Sequence, residues 1–321
     1  MRQKAPHPVL SPETANLLSN RVGRIHLCQR QGIQRDHVDQ IFGRGRNFFH
    51  IENWYSVHAL MRLLMRLTGF YSRGRRNAAN IRINHNDVPI PRLPPAFDGF
   101  RLLHLSDMHL DMDADISHAI SERVREANYD LCVITGDFRA RTYGEIKPAV
   151  SAMERLRLHI SAPVYAILGN HDFIEMAPDL ESLGVRVLLN ESVALERAGE
   201  LIYLAGIDDP HYYRSDNLQK AAEAIPADAV AILLAHSPEV YRHAAHAGFE
   251  LMLCGHTHGG QICLPGGIAV TYNAKCPRAL CRGGWRWRDM SGYTSSGAGS
   301  CVVPVRFNCP PEITVHRLRK Q

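Results

Sequence analysis

No stretch of this 321-residue chain reaches the ~20 consecutive apolar residues that a membrane-spanning helix requires. Any contact with a bilayer is therefore expected to be peripheral. The leading residues MRQKAPHPVLSPET hold no apolar core and no small-residue cleavage pattern, so no secretory signal is read there. The eight cysteines form no CxxC pair and no dense framework. The close pair Cys276/Cys281 lacks the Cys or His partners that a structural zinc needs. Cys132 and Cys254 sit inside apolar runs, where a thiol acts as a small hydrophobe. Reduced thiols and a cytoplasmic setting are the expectation. Repeats and low-complexity tracts are missing too. A composition of 45% hydrophobic and 21% charged residues allows a sizeable core and excludes wholesale disorder.

What is present is unevenly distributed. Residues 1–76 carry 13 Lys/Arg against 4 Asp/Glu, whereas the rest carries 24 against 28. A basic leading segment on a mildly acidic body suggests an attached element that meets an anionic surface. The first ~20 residues read as a loose polar arm by their Pro, Ser and Asn content. Residues 53–71 then show helical periodicity, with Leu60, Leu63, Leu64 and Leu67 on one face and His58, Arg62 and Arg66 on another. Arg73, Arg75 and Arg76 continue the cluster. Residues 80–90 alternate around a polar turn, as a small hairpin or edge ribbon does. The proline-rich run at 89–95 marks a boundary. The expected organisation is a basic N-terminal extension over 1–97 and a catalytic domain over 98–321.

After that boundary short apolar runs recur with helix-like segments between them, which implies an α/β fold with strands buried on both faces. Five runs end in a metal-ligand residue immediately after the last apolar position. The ends are Asp107-Met108-His109, Gly136-Asp137, Gly169-Asn170-His171-Asp172, His236, and Gly255-His256-Thr257-His258. Strand ends laid side by side gather such groups at one rim. Each piece alone is common, but the ordered set is hard to obtain by accident. Oxygen and imidazole donors without thiolates suit Mn, Fe or Zn in a catalytic role. Two cations about 3.5–4 Å apart clamp a phosphoryl oxygen and acidify a water to a pKa near ~7. Asp137, which has no neighbouring ligand, is the natural bridge between them.

These motifs, with GHTHGGQ and the tail SSGAG…PVRFNCPPEITVHRL, resemble the calcineurin-like metallophosphoesterases, in particular a bacterial branch of membrane-associated phosphohydrolases. The resemblance implies a four-layer α/β/β/α sandwich behind the basic helical extension. It implies that Asp107, His109 and His258 hold one metal, that Asn170, His236 and His256 hold the other, and that Asp137 bridges. It places His171 as the general acid with Asp172 orienting its ring. Arg139 and Arg306 are candidate phosphate contacts, each equally open as a structural ion-pair partner. His104, His211, His243 and His246 read as core or surface rather than ligands.

The substrate is less defined. The basic amphipathic helix suits an anionic membrane surface on its inner face, or packs its leucines onto the catalytic domain. Arg282–Arg288 (RGGWRWR) is expected to overhang the metals and meet a membrane interface, a nucleotide base or a phosphate, or else to pin its loop to the core. Together they point to a phosphodiester or pyrophosphate on a membrane-associated molecule. The resemblance extends that to UDP-diacylglucosamine in lipid A biosynthesis. The rivals are a soluble phosphodiesterase or phosphatase acting on nucleotides, and a non-catalytic scaffold, which a full ligand set argues against. No basic track with interleaved aromatics suggests nucleic acid.

Overall fold

The computed structural model describes residues 10–42 and 55–321. In chain order the strands are β1 (Arg82–Ile90), β2 (Arg101–Leu105), β3 (Leu131–Ile134), β4 (Val164–Ala166), β5 (Val185–Val187), β6 (Glu191–Arg197) and β7 (Glu200–Gly206). They continue with β8 (Ala231–Leu234), β9 (Leu251–Cys254), β10 (Cys263–Leu264), β11 (Ile268–Ala269), β12 (Gly283–Trp287), β13 (Met290–Thr294) and β14 (Glu312–Lys320). One six-stranded sheet runs β1-β14-β2-β3-β4-β5 and the other β12-β13-β9-β8-β7-β6, with β10 and β11 as a small ribbon. The central pairs β2–β3–β4–β5 and β7–β8–β9–β13 are parallel.

Alternation along the short strands builds the layers. Leu102, Leu131 and Val133 point between the sheets, where they meet Ile202, Leu204, Ile232, Leu234, Leu251 and Leu253. Their neighbours Leu103, Leu105, Cys132 and Ile134 face the other way. These pack against helices α5 (Ala114–Glu126), α6 (Lys147–Arg157) and α7 (Met176–Ser182), which follow four helices of the leading segment. On the far side, Ala205, Leu233 and Met252 are covered by α8 (Leu218–Ala222) and α9 (Tyr241–His246). Because side chains alternate faces with period two, a strand apolar at every position must be covered on both sides. The result is an α/β fold of mixed sheets with helices outside.

The leading segment departs from several expectations. Residues 12–22 are not an arm but helix α1 (Pro12–Val22), opened by Ser11, whose Oγ accepts from Thr14 N at 3.1 Å, with Pro12 in the first turn. Ser before Pro is a helix-start signal. Leu18 and Val22 of α1 and Leu27 of α2 (Arg24–Phe42) join the core on the helix-covered face of the first sheet, where Arg21 of α1 pairs with Glu181 of α7. The expected helix over 53–71 is α3 (Tyr55–Leu67); its first two residues lie outside the described residues, and Gly69 at φ 75° ends the run before α4 (Phe70–Ala79). Residues 80–90 form no hairpin. They make one edge strand, β1, parallel to β14 from Arg82↔Glu312 to Ile90↔Lys320. The proline-rich run thus joins two strands of one sheet, and the expected boundary at 97/98 is crossed by strand pairing and by core packing.

Candidate metal centre

All five motif ends arrive at one rim. Asp107 and His109 follow β2, Asp137 follows β3, Asn170 and His171 follow β4, His236 follows β8, and His256 and His258 follow β9. Every one of these side chains is buried. The parallel strands β2–β4 and β8–β9 all point their carboxyl ends the same way within each sheet, so residues distant in sequence converge there.

The donor atoms fall into two neighbouring groups. His109 Nε2 and His258 Nε2 face each other at 3.1 Å, and Asp107 Oδ1 lies 3.6 Å from His258 Nε2. On the other side, His236 Nε2 lies 2.9 Å from Asn170 Oδ1, and His256 clusters with His236 and Asp137. Asp137 Oδ2 stands between, 3.8 Å from His109 Nε2 and 3.3 Å from His236 Nε2. The outer nitrogens are already committed: His109 Nδ1 to the Arg139 carbonyl, His236 Nδ1 to the Thr135 carbonyl at 2.7 Å, and His256 Nε2 to the Asn273 carbonyl. An imidazole that donates from one nitrogen presents a lone pair on the other, the usual arrangement behind a metal-binding histidine. Lone pairs converging from several rings beside carboxylates are a donor set that fits divalent cations.

The electrostatics agree. Burial alone would raise the Asp137 carboxyl, but His236, His171 and His109 hold it well below its ordinary value. Burial alone would lower His236, but Asp137 lifts it to about 10. Asp107 is pushed up to about 6 by burial, partly offset by His236. His109 is driven down to about 4 by burial and by the His171 charge. Groups of both signs are thus compressed into a dry site where a cation would relieve the carboxylates.

The backbone is bent to achieve this. Asp107, His109, Asp137, His256 and His258 all have positive φ, between 43° and 70°. Non-glycine residues seldom adopt that region, and such strain gathers at functional sites. Gly255 is needed for a different reason: a Cβ there would stand 1.8 Å from Ser106 Oγ and 2.2 Å from Asp107 Oδ2.

The expected role of Asp172 changes, while Arg306, Arg139 and the RGGWRWR run each take the structural alternative. The Asp172 carboxylate accepts from the backbone N–H groups of Gly169, Asp137, Phe138 and Arg139, tying the β3 and β4 loops together. Among the described contacts the carbonyl of Ala140, 3.1 Å from His171 Nδ1, orients the His171 ring. Arg306 is fully buried and donates to the carbonyls of Ser296, Gly297, Gly299 and His258, so it braces the loop behind the metal ligands and offers no fork to substrate. Arg139 is 1% exposed, donates to the carbonyls of Tyr143 and Gly144 and lies over the Phe173 ring. The RGGWRWR run does not overhang the rim. It is edge strand β12, with Trp285 donating to Thr294 Oγ1 and Trp287 packed edge-on against Tyr241.

Other residues join the site without a sequence signal. His104 is core, as expected, yet it reaches Asp107 through Thr135 and Ser106 in a chain of hydrogen bonds of 2.9, 2.7 and 2.6 Å. Small hydroxyls inside apolar runs carry no pattern to read. His211, expected elsewhere, lies with its ring 4.1 Å from that of His256 and its Nδ1 2.9 Å from Glu239. Two clefts open at the rim. One, of about 470 Å³, runs from His171 past Arg62, Asp111 and Arg141. The other, of about 240 Å³, lies over His256 and His258 beneath Met61. Helix α3 therefore borders the entrance to both.

A buried set of Asp, His and Asn donors at strand ends between two sheets, opening on clefts, defines a metallophosphoesterase. The family model for calcineurin-like phosphoesterases matches residues 100–260, and the chain belongs to that family. It is accordingly a hydrolase of phosphoester bonds. It is 27% identical to the metallophosphoesterase YkoQ of Bacillus subtilis over 259 residues, spanning 78% of this chain and 94% of that protein. It is 27% identical to the phosphodiesterase YaeI of Escherichia coli, over 68% of this chain and 82% of that one. A transmembrane protein with metallophosphoesterase domain from Bos taurus is 32% identical over 71% of this chain and 55% of its own length, so the chain spans about half of that relative.

Proposed function

We propose that the protein hydrolyses a phosphodiester or pyrophosphate bond using two divalent cations, one held by Asp107, His109 and His258 and the other by Asn170, His236 and His256, with Asp137 shared. The observation that carries this reading is the reach of one carboxylate: Asp137 Oδ2 lies within 4 Å of a histidine from each group. Bound cations would supply Lewis-acid polarisation of the phosphoryl group and an acidified water, and Mn, Fe or Zn suits such donors. The protein's own part is to hold the reacting groups in a dry, bent rim. His171 keeps Nδ1 on the Ala140 carbonyl and lines both clefts, and from there it would give a proton to the leaving oxygen.

A lipid-linked substrate is supported by the surface beside the rim. Leu63, Leu64 and Leu67 of α3 are 53, 51 and 74% exposed, and Phe70 is exposed too. These three leucines are thus more than half exposed, while Met61 and Arg62 of the same helix line the two clefts. An apolar face beside Arg62, Arg66, Arg73 and Arg76 suits an anionic leaflet, each cation adding about 1 kcal/mol. No helix among the described residues is long and apolar enough to cross a membrane. Peripheral attachment on the inner face is the matching location, and UDP-diacylglucosamine is a substrate of this class.

Purified protein with Mn²⁺ is expected to hydrolyse bis(p-nitrophenyl) phosphate, and Asp137→Asn to abolish both metal binding and turnover. Full activity in that variant would sink the shared-carboxylate assignment. A panel of UDP-diacylglucosamine, phospholipids and cyclic nucleotides, run with Mn²⁺ and with chelator, tests the substrate; preference for the soluble nucleotides would overturn the lipid reading.

A further inference from the structure

The sequence offers no thiol among the motif ends, but the fold brings one to them. Cys301 lies in the loop after β13, and its Sγ is within 4.8 Å of the ligand nitrogens of both His109 and His258. It is also 3.9 Å from His171 Nε2. The residue borders both clefts, at the point where they meet beside His171.

Its position is held from the metal motif itself. Gln261, three residues beyond His258, accepts from Cys301 N at 2.7 Å and donates to the Cys301 carbonyl at 2.8 Å. A second donation reaches the Val303 carbonyl at 3.1 Å. One side-chain amide thus satisfies both backbone groups of Cys301. Val302, next in the chain, has φ 67°, a conformation that is costly for a β-branched residue. The half-buried thiol is aimed by a fixed backbone, whereas Cys132 and Cys254 are sealed in the core.

We propose that Cys301 supplies a thiolate to the cation held by Asp107, His109 and His258. This rests on the two-cation reading above and goes beyond it, because it makes the two positions chemically unequal. Ligand atoms around one zinc-sized ion stand roughly 3–4 Å apart given metal–sulfur and metal–nitrogen bonds of ~2.3 and ~2.1 Å. Cys301 Sγ therefore needs only a small approach to complete the set. On binding, the S–H bond breaks, the sulfur–metal bond forms with the sulfur lone pair, and the proton leaves to solvent; nothing is oxidised or reduced. A soft donor in the first position favours Zn²⁺, Fe²⁺ or Co²⁺ over Mg²⁺ or Mn²⁺, while the all-oxygen-and-nitrogen second position discriminates less.

The test uses the full chain stripped of metal and titrated with Co²⁺, read by near-ultraviolet absorbance and by metal content. The expected result is a thiolate-to-cobalt charge-transfer band that saturates with one of two bound equivalents. Cys301→Ser should bind two cobalt ions with the band gone, and its Zn²⁺ affinity at one position should fall at least about tenfold while Mn²⁺ affinity holds. Two bound cobalt ions without a band, or a band that persists in Cys301→Ser, would overturn the thiolate and leave the two-cation centre standing. Failure to bind cobalt at all would remove both.

Discussion

Arg30 donates from Nη2 to the backbone carbonyl of Asp172 at 2.9 Å, so a helix of the N-terminal segment grips the loop that carries His171. The same guanidinium pairs with Asp208 at 3.2 Å, lies 3.3 Å over the Tyr213 ring and is completely buried. Four residues on, Gln34 accepts from Ile174 N at 2.9 Å and donates to Glu175 at 2.8 Å. The basic extension thus supplies the outer wall of the site.

Replacing Arg30 with Ala leaves the buried Asp208 carboxylate and the Asp172 carbonyl without that partner. The expected loss is about 3–5 kcal/mol of unfolding free energy, measured by urea denaturation. A loss below about 1 kcal/mol would show that the helix merely rests on the surface.

The pair also carries a pH signature. Burial alone would raise the Asp208 carboxyl, but the charges of Arg30 and His26 bring it down to about 2. A carboxyl lowered in the folded state stabilises above its unfolded value of about 4 and loses that contribution as pH falls through about 2. The shift corresponds to about 2 kcal/mol. The stability gap between the wild type and Asp208→Asn should therefore narrow by about that amount between pH 5 and 2. A constant gap would contradict it.

His171→Ala should retain both cations, because the assigned ligands remain. Turnover should fall by about 10²–10⁴-fold on an alkyl phosphodiester and far less on p-nitrophenyl esters, whose leaving group needs no proton. Equal losses on both substrates would exclude the general-acid role.

Leu63→Glu combined with Leu67→Glu alters side chains that are more than half exposed, so stability should change by no more than about 0.5 kcal/mol per site. Sedimentation with vesicles containing anionic lipid should be lost, while hydrolysis of bis(p-nitrophenyl) phosphate stays. Unchanged sedimentation would leave α3 as a wall of the clefts only.

Much of the centre was legible before any fold was known. A ligand that directly follows an apolar run must sit at a strand end, and parallel strands align their ends; GNHD and GHTH therefore announce a shared rim. The helix around Leu60–Leu67 was legible for a similar reason, since its period shows in the chain itself. The start of α1 was legible in principle, in the Ser11-Pro12 pair, but polar composition outweighed it. Arg139 and Arg306 looked available to a phosphate because an Arg in a loop carries no mark of burial. The resemblance made Asp172 the partner of His171, but its carboxylate accepts from four backbone N–H groups instead.

By itself, then, the sequence determined the α/β architecture and the candidate metal ligands through local patterns of apolar runs and the residues that close them, and the reaction class through the resemblance those motifs carry. Tertiary structure alone decided that Arg30 braces Asp172, that Leu63, Leu64 and Leu67 stay exposed, that β12 takes the tryptophans away from the rim, and that Cys301 stands beside His109 and His258. Those relationships join residues more than a hundred positions apart or depend on which way a side chain turns. No local pattern records either, since both are set only when the sheets close on one another.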